Sequence, residues 1–255
     1  MVARIFHIVG LIGLLFLVGC QHGAGVVETQ WGLQPLYQGF IPGQIVVLPC
    51  QVWPQQATYQ FQPIGNASLA DREVLCTRTD QMVLEGFLQQ PYMSGFTPKS
   101  VAKQMEASFP DYIEKMKALW AGPPCPSCET PLDFYKKVSM AQPNWLSWLQ
   151  RVSQSTRYSD AVLLPFLLFA QEQQFQDRGV GTSRRAVGIL LLLVSTHDGS
   201  LIWGGKQTAM MEARASLRQP SASTPYPLYP GWEQLYPAIF TEALWKGFPG
   251  RLFRP

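Results

Sequence analysis

Apolar residues fall along this chain in runs of very different length, and those lengths divide it into elements. The first run, Ile5 to Gly19, carries no fixed charge and follows a positive head made by Arg4 and the amino terminus. It is shorter than the roughly 20 residues a spanning helix needs and has the length of a signal-peptide core, which predicts a leader over 1–19. Residues Gln21 to Phe40 are rich in Gly and Gln with little periodicity, so 20–40 reads as a flexible tether. Gln44-Ile45-Val46-Val47-Leu48 is a short continuous apolar stretch closed by Pro49, the pattern of a buried strand. Ser68-Leu69-Ala70-Asp71 forms a capping box. It opens a helix to about Gln89, whose apolar positions include Val74, Leu75, Met82, Leu84, Phe87 and Leu88. Gly95-Phe96 reads as a very short strand. Thr97-Pro98 starts another helix, and Asp111 to Trp120 forms a further helical piece after Pro110.

The pattern changes in the second half. Ala121 to Pro131 holds four prolines and two cysteines and must be a loop. Trp145, Leu146, Trp148, Leu149 and Val152 are spaced for an amphipathic helix. Asp160 to Phe169 is an apolar strand, and Ala170 to Ser183 a polar connection. The clearest signal runs from Arg185 to Ala209, where Gly188–Val194 and Leu201–Trp203 flank His197-Asp198-Gly199-Ser200. An Asp-Gly pair accepts the positive backbone angles of a tight turn, so this is a β-hairpin near 187–209. Ser221 to Pro230 is a proline- and serine-rich loop, and Trp232 to Trp245 a final amphipathic helix. These elements predict a single α/β (α+β) domain over 41–255. Its sheet is small and mixed, with about four to five strands and helices packed on it.

The 255 residues carry a formal charge of +3, with lysines and arginines scattered and no aromatic-basic motif, which argues against nucleic acid. After the leader no segment is long and apolar enough to span a bilayer; the longest, Val187 to Val194, is strand-sized. Only His22 and His197 follow the leader, which limits acid–base chemistry. His197 adjoins Asp198, but both fall in the turn, and turn chemistry explains them. There is no Gly-x-Ser-x-Gly elbow and no His-Glu-x-x-His helix. Gly179 to Ser183 lacks the lysine and spacing of a phosphate loop. Arg184 and Arg185 would meet lipid phosphates or a partner's acids, or simply begin a solvated strand. Trp145, Trp148, Trp232, Tyr236 and Trp245 sit on helical spacings and read mostly as core, any exposed member being open to a partner. The expectation is a protein that is not an enzyme, with no catalytic residue, metal or cofactor.

Besides Cys20, four cysteines remain: Cys50, Cys76, Cys125 and Cys128. An exported chain meets an oxidising compartment, so an even number reads first as disulfides. Of three possible pairings, Cys125 with Cys128 and Cys50 with Cys76 is favoured, the first because the two are neighbours and the second by elimination. Cys125-Pro126-Ser127-Cys128 also has the spacing of a disulfide-exchange motif. Two prolines precede it, however, and no strand–loop–helix context surrounds it. Zinc held by all four thiolates is a further reading, although Cys50 and Cys76 lack the close spacing of a zinc knuckle.

Leu17-Val18-Gly19-Cys20 resembles the lipobox of bacterial lipoproteins. The resemblance implies that Cys20 receives a diacylglyceryl thioether, that the leader is removed, and that the new amino group is acylated, for example with palmitate. The mature chain would then be anchored to a membrane through Cys20. Gln21, a non-aspartate after that cysteine, implies outer-membrane sorting and a periplasmic face by the behaviour of similar lipoproteins. Three further pieces resemble the CsgG-, LpoB- or PelC-like periplasmic α/β domains of envelope lipoproteins: Ile45 to Pro49, Ser159 to Pro165, and Asp198 to Trp203. That group has no shared catalytic residues. The resemblance implies a non-catalytic binding or scaffold role in envelope assembly or export, with an envelope protein or further copies of the same chain as partner. The Cys-Pro-Ser-Cys loop and the insertion before it depart from the pattern. They keep an exported thiol-disulfide oxidoreductase or metal-binding protein as the alternative.

Overall fold

The computed structural model describes residues 21–53, 65–88, 94–96, 107, 127–128, 131–156, 158–216 and 226–250. The leader, Cys20, Cys125 and the helices expected after Thr97 and Asp111 lie outside the described residues. Three long strands dominate: β6 (Ala161–Asp177), β7 (Val180–Ser195) and β8 (Leu201–Ser216). They pair antiparallel over nearly their whole length. β1 (Gln21–Leu33) pairs antiparallel with the outer edge of β8. On the other side, β2 (Gln44–Val47) pairs parallel with β6, and β5 (Ser94–Phe96) pairs parallel with β2. β3 (Gln51–Val52) and β4 (Gly65–Asn66) follow β2 along the same edge of β6. The result is a mixed sheet of eight strands among the described residues, larger than the four to five expected.

Strand β7 shows why the sheet sits between two cores. Val187, Ile189, Leu191 and Leu193 point to one face, Leu190, Leu192 and Val194 to the other, and all are buried. A strand covered on both faces reads as a continuous apolar run, as this one does. The first face is covered by α1 (Leu69–Leu88), through Leu75 and Val83, and by Tyr236, Ile239, Leu244, Trp245 and Phe248 near the carboxyl end. The second is covered by α2 (Pro131–Phe134), the π-helical turn Tyr135–Ser139 that continues it, and α3 (Trp145–Ser155). In β6 a bulge between Leu167 and Phe169 turns Leu168 and Phe169 to the same face. Phe169 then lies flat against Gly188, where any side chain would overlap its ring.

Several elements match the sequence pattern. Ser68 caps α1, its hydroxyl accepting the Asp71 amide at 3.1 Å and donating to the Asp71 carboxylate at 2.7 Å. Val74 faces solvent at 68 % exposure, while Leu75, Thr79 and Val83 form the buried stripe. Cys50 and Cys76 are joined, with Cα atoms 5.2 Å apart, and tie the segment after β2 to α1. Beside them the Asp80 carboxylate accepts the Cys50 amide at 2.8 Å. Burial pushes the Asp80 carboxyl up to about 7, against the opposing effect of that amide.

Three further expectations are corrected. The segment expected as a tether begins with β1, held by a backbone ladder that requires no apolar side chains. The polar stretch Ala170 to Ser183 is not a connection: its first part extends β6 and its last extends β7, around a two-residue turn at Arg178-Gly179. The final helix is broken. Trp232–Gln234 and Tyr236–Ile239 are separate short helical turns, followed by tight turns to Phe248. Gln207 donates to the Ala238 carbonyl at 2.6 Å, taking an acceptor that a continuing helix would use.

Candidate functional site

At the end of the sheet where β1 finishes, the β7–β8 connection closes with a hydrogen bond from the Ser195 amide to the Ser200 carbonyl, 2.9 Å. Gly199 has φ +70° and the preceding residues stay at ordinary angles, so the loop is wider than a two-residue turn. The Ser195 hydroxyl accepts the His197 amide at 3.2 Å. The Asp198 carboxylate accepts the Ser200 amide at 3.1 Å and its hydroxyl at 2.8 Å. This is local side-chain-to-backbone bonding of the kind that shapes Asx turns.

Two tyrosines hold this loop from opposite sides. Tyr37, in the 3₁₀ turn Pro35–Tyr37 after β1, places its hydroxyl 3.2 Å from both oxygens of Asp198 and against the Ser200 hydroxyl. Tyr135 donates to the Gly199 carbonyl and accepts the Trp145 indole N–H at 3.0 Å. Burial raises the Tyr135 phenol pKa well above its ordinary value, so it stays protonated and acts as donor. Burial also opposes ionisation of Asp198, but the bonds from Ser195, Ser200 and Tyr37 outweigh it and hold the carboxyl below its usual range.

Below the loop, Asp160 accepts the amides of Gly43 at 2.8 Å and Gln44 at 3.1 Å, joining the starts of β2 and β6. The Ser159 carbonyl accepts the hydroxyls of Thr196 at 2.6 Å and Ser153 at 2.8 Å. Tyr158 sits at φ +59°, unusual for a bulky residue, with its amide bonded to the Ser153 carbonyl at 2.8 Å and its ring 78 % exposed. These groups surround an open cleft of about 710 Å³. Tyr37, Phe40 and Tyr158 supply aromatic surface, α3 contributes Gln150 and Gln154, and Asp160 and Asp198 supply carboxylates. Such a surface offers ring faces and fixed hydrogen-bonding groups to a partner. It does not assemble an Asp–His pair, because the partners of Asp198 are Tyr37, Ser195 and Ser200.

The other residues singled out in the sequence lie elsewhere. Trp145, Trp148, Tyr236 and Trp245 are buried core side chains. Arg184 pairs with Glu212, and Arg185 with Glu172 at 2.6 Å while lying 4.3 Å over the Trp232 ring. Cys128 is disulfide-bonded and packs on the second core. Since Cys50 and Cys76 are bonded to each other, the four-thiolate zinc reading is excluded. No cluster of three metal-ligating side chains occurs among the described residues. Sequence reading missed Tyr37, Phe40 and Tyr158. The first two lay in the expected tether, and nothing local marks the third.

No family model and no curated protein matches the chain. Among solved structures, the lipoprotein GNA1162 from Neisseria meningitidis aligns over 71 % of this chain and 88 % of its own, at 14 % identity and a TM-score of 0.32. A PelC dodecamer from Paraburkholderia phytofirmans aligns over 85 % and 94 %, at 8 % identity and 0.36. The LpoB C-terminal domain from Salmonella enterica aligns over 68 % and 88 %, at 10 % identity and 0.28.

Proposed function

We propose that this protein is a lipid-anchored envelope protein that acts as a non-catalytic binding or scaffold module. Its anchor is Cys20, on the periplasmic face of the outer membrane. The observation that carries the reading is that β1 is already paired with β8 at Gln21, next to the lipobox cysteine in sequence, and ends beside the cleft. The anchor point and the cleft thus lie at opposite ends of one strand. Its 13 residues span about 40 Å at the usual rise per residue. Anchoring at Cys20 then presents the cleft away from the bilayer, where Tyr37, Phe40 and Tyr158 meet an envelope partner.

The test uses the full chain in cells. Cys20→Ala should abolish incorporation of labelled fatty acid and leave an unprocessed precursor. A photo-crosslinking residue at Tyr158 should capture a defined envelope protein, and one at the exposed Glu73 on α1 should not. Fatty-acid labelling that survives Cys20→Ala would overturn the anchor. Equal capture at both positions would overturn the cleft as the binding surface.

A further inference from the structure

The end of the sheet opposite the cleft is built differently. Gln21 of β1 stands opposite Ala213 of β8, which stands opposite Ser183 of β7. Beyond that level the β6–β7 hairpin continues for three more residues of β7, from Ser183 to Val180, before turning at Arg178-Gly179. At about 3.4 Å per residue, the tip extends about 10 Å past the first residue of β1. Two strand spacings, again about 10 Å, separate it sideways from Gln21.

The turn itself is unusual. Arg178 has φ +47° and Gly179 φ +78°, the pair of positive angles of a two-residue hairpin turn. Glycine is common at such a second position, but the first favours Asn, Asp or Gly. Arginine has neither glycine's freedom nor the short side chain that supports a left-handed backbone. Its presence sets an exposed cation at the turn of the β6–β7 hairpin, at the far end of the sheet among the described residues, despite a conformational cost. A sparsely populated backbone angle that persists is grounds for asking what the side chain does. Nearby, Arg214 on β8 pairs with Glu212 at 2.6 Å yet leaves 48 % of its side chain exposed. Asp177, also exposed, is the acid at the turn. Glu172 is occupied by Arg185, and Glu212 by Arg184 and Arg214.

We infer that the β6–β7 tip is a membrane-contact surface, with Arg178 and Arg214 meeting the phosphates of anionic lipid headgroups. The inference rests on the lipid anchor proposed above. Acyl chains on Cys20 sit one residue from Gln21, so they fix the bilayer surface near the level of that residue. The interfacial layer is about 5–8 Å thick on each side, so with Gln21 at or just outside its outer edge a tip reaching about 10 Å further spans it down to the phosphates. The domain is thus held at two points: the covalent lipid and a cationic hairpin tip. Two such points fix the orientation of the sheet, whereas a lipid alone leaves it free to tumble.

The experiment reconstitutes the lipidated full chain into vesicles of phosphatidylethanolamine and phosphatidylglycerol. A fluorophore is placed through Gln176→Cys at the tip or His197→Cys at the cleft, and a quencher is carried on the lipid headgroup. Mass spectrometry and vesicle flotation report lipidation separately. The expected result is quenching several-fold stronger at the tip than at the cleft. Replacing Arg178 by Asn, which suits the turn, together with Arg214→Gln should reduce the tip signal. Omitting phosphatidylglycerol should do the same. A lipidated, floating protein with equal quenching at both positions would overturn the tip contact and leave the anchor standing. A chain without lipid by mass would overturn both.

Discussion

The hydroxyl of Tyr37 lies 3.2 Å from both carboxylate oxygens of Asp198, a residue 161 positions away, and so ties the exit of β1 to the β7–β8 loop. Tyr37→Phe removes this donor. The Asp198 carboxyl pKa should rise toward its ordinary value, observable by NMR titration. Asp198 is held low in the folded protein. Its stabilising contribution is therefore present above the unfolded value, near pH 4, and lost as pH falls through the folded one. The variant should lose about 1 kcal/mol at neutral pH and show a shallower acid dependence in denaturant melts.

Asp80 has the opposite sign. Its folded pKa of about 7 stands above the unfolded value, so the native state binds the extra proton between about pH 4 and 7. Stability falls as pH rises through that window. Asp80→Asn keeps an oxygen to accept the Cys50 amide and removes the buried charge. It should flatten the pH dependence and raise stability above pH 7 by about 1–3 kcal/mol, read from urea melts across pH.

Gly188→Ala should destabilise by about 1–3 kcal/mol, because the new methyl overlaps the Phe169 ring on the neighbouring strand. Adding Phe169→Leu should restore part of the loss. A double-mutant cycle with no coupling would contradict this packing.

Replacing Cys50 and Cys76 together by Ser opens a link between residues 26 positions apart. Loop-closure entropy sets the expected loss at about 3 kcal/mol, and the same loss should follow reduction of that bond in the parent protein.

Arg178→Asn places a residue tolerant of left-handed angles at the hairpin tip. In the unlipidated domain it should stabilise by about 0.5–1 kcal/mol, seen as a higher melting midpoint.

Which elements are legible in the sequence follows from what stabilises them. The capping box at Ser68, the short strand at Gln44–Val47, the helix at Trp145 and the hairpin strands around the turn at His197 all carry local signals. Apolar spacing or cap chemistry holds each in place. β1 carries none: Gly25, Gly32, Gln30 and Thr29 give no alternation, since this strand is an edge held through its backbone. The polar halves of β6 and β7 are hard to recognise for a related reason. Gln173, Gln174 and Gln176 lie in the part of the sheet nearest the Arg178-Gly179 turn, where little core demands apolar residues. The cleft was hardest to see. Tyr37, Tyr158 and Asp198 come from three distant segments, and only the pairing of β1 with β8, β8 with β7 and β7 with β6 brings them together.

The course of β1 also bears on mechanics. Were the chain anchored at Cys20 and a partner seated at the cleft, as proposed, tension would run parallel to the β1–β8 ladder. It would strain the paired hydrogen bonds together, in shear, rather than opening them one by one from an end. A segment with so few apolar residues would make a weak tether if peeled. Pulled lengthwise, it becomes a stiff stay whose resistance grows with every paired residue.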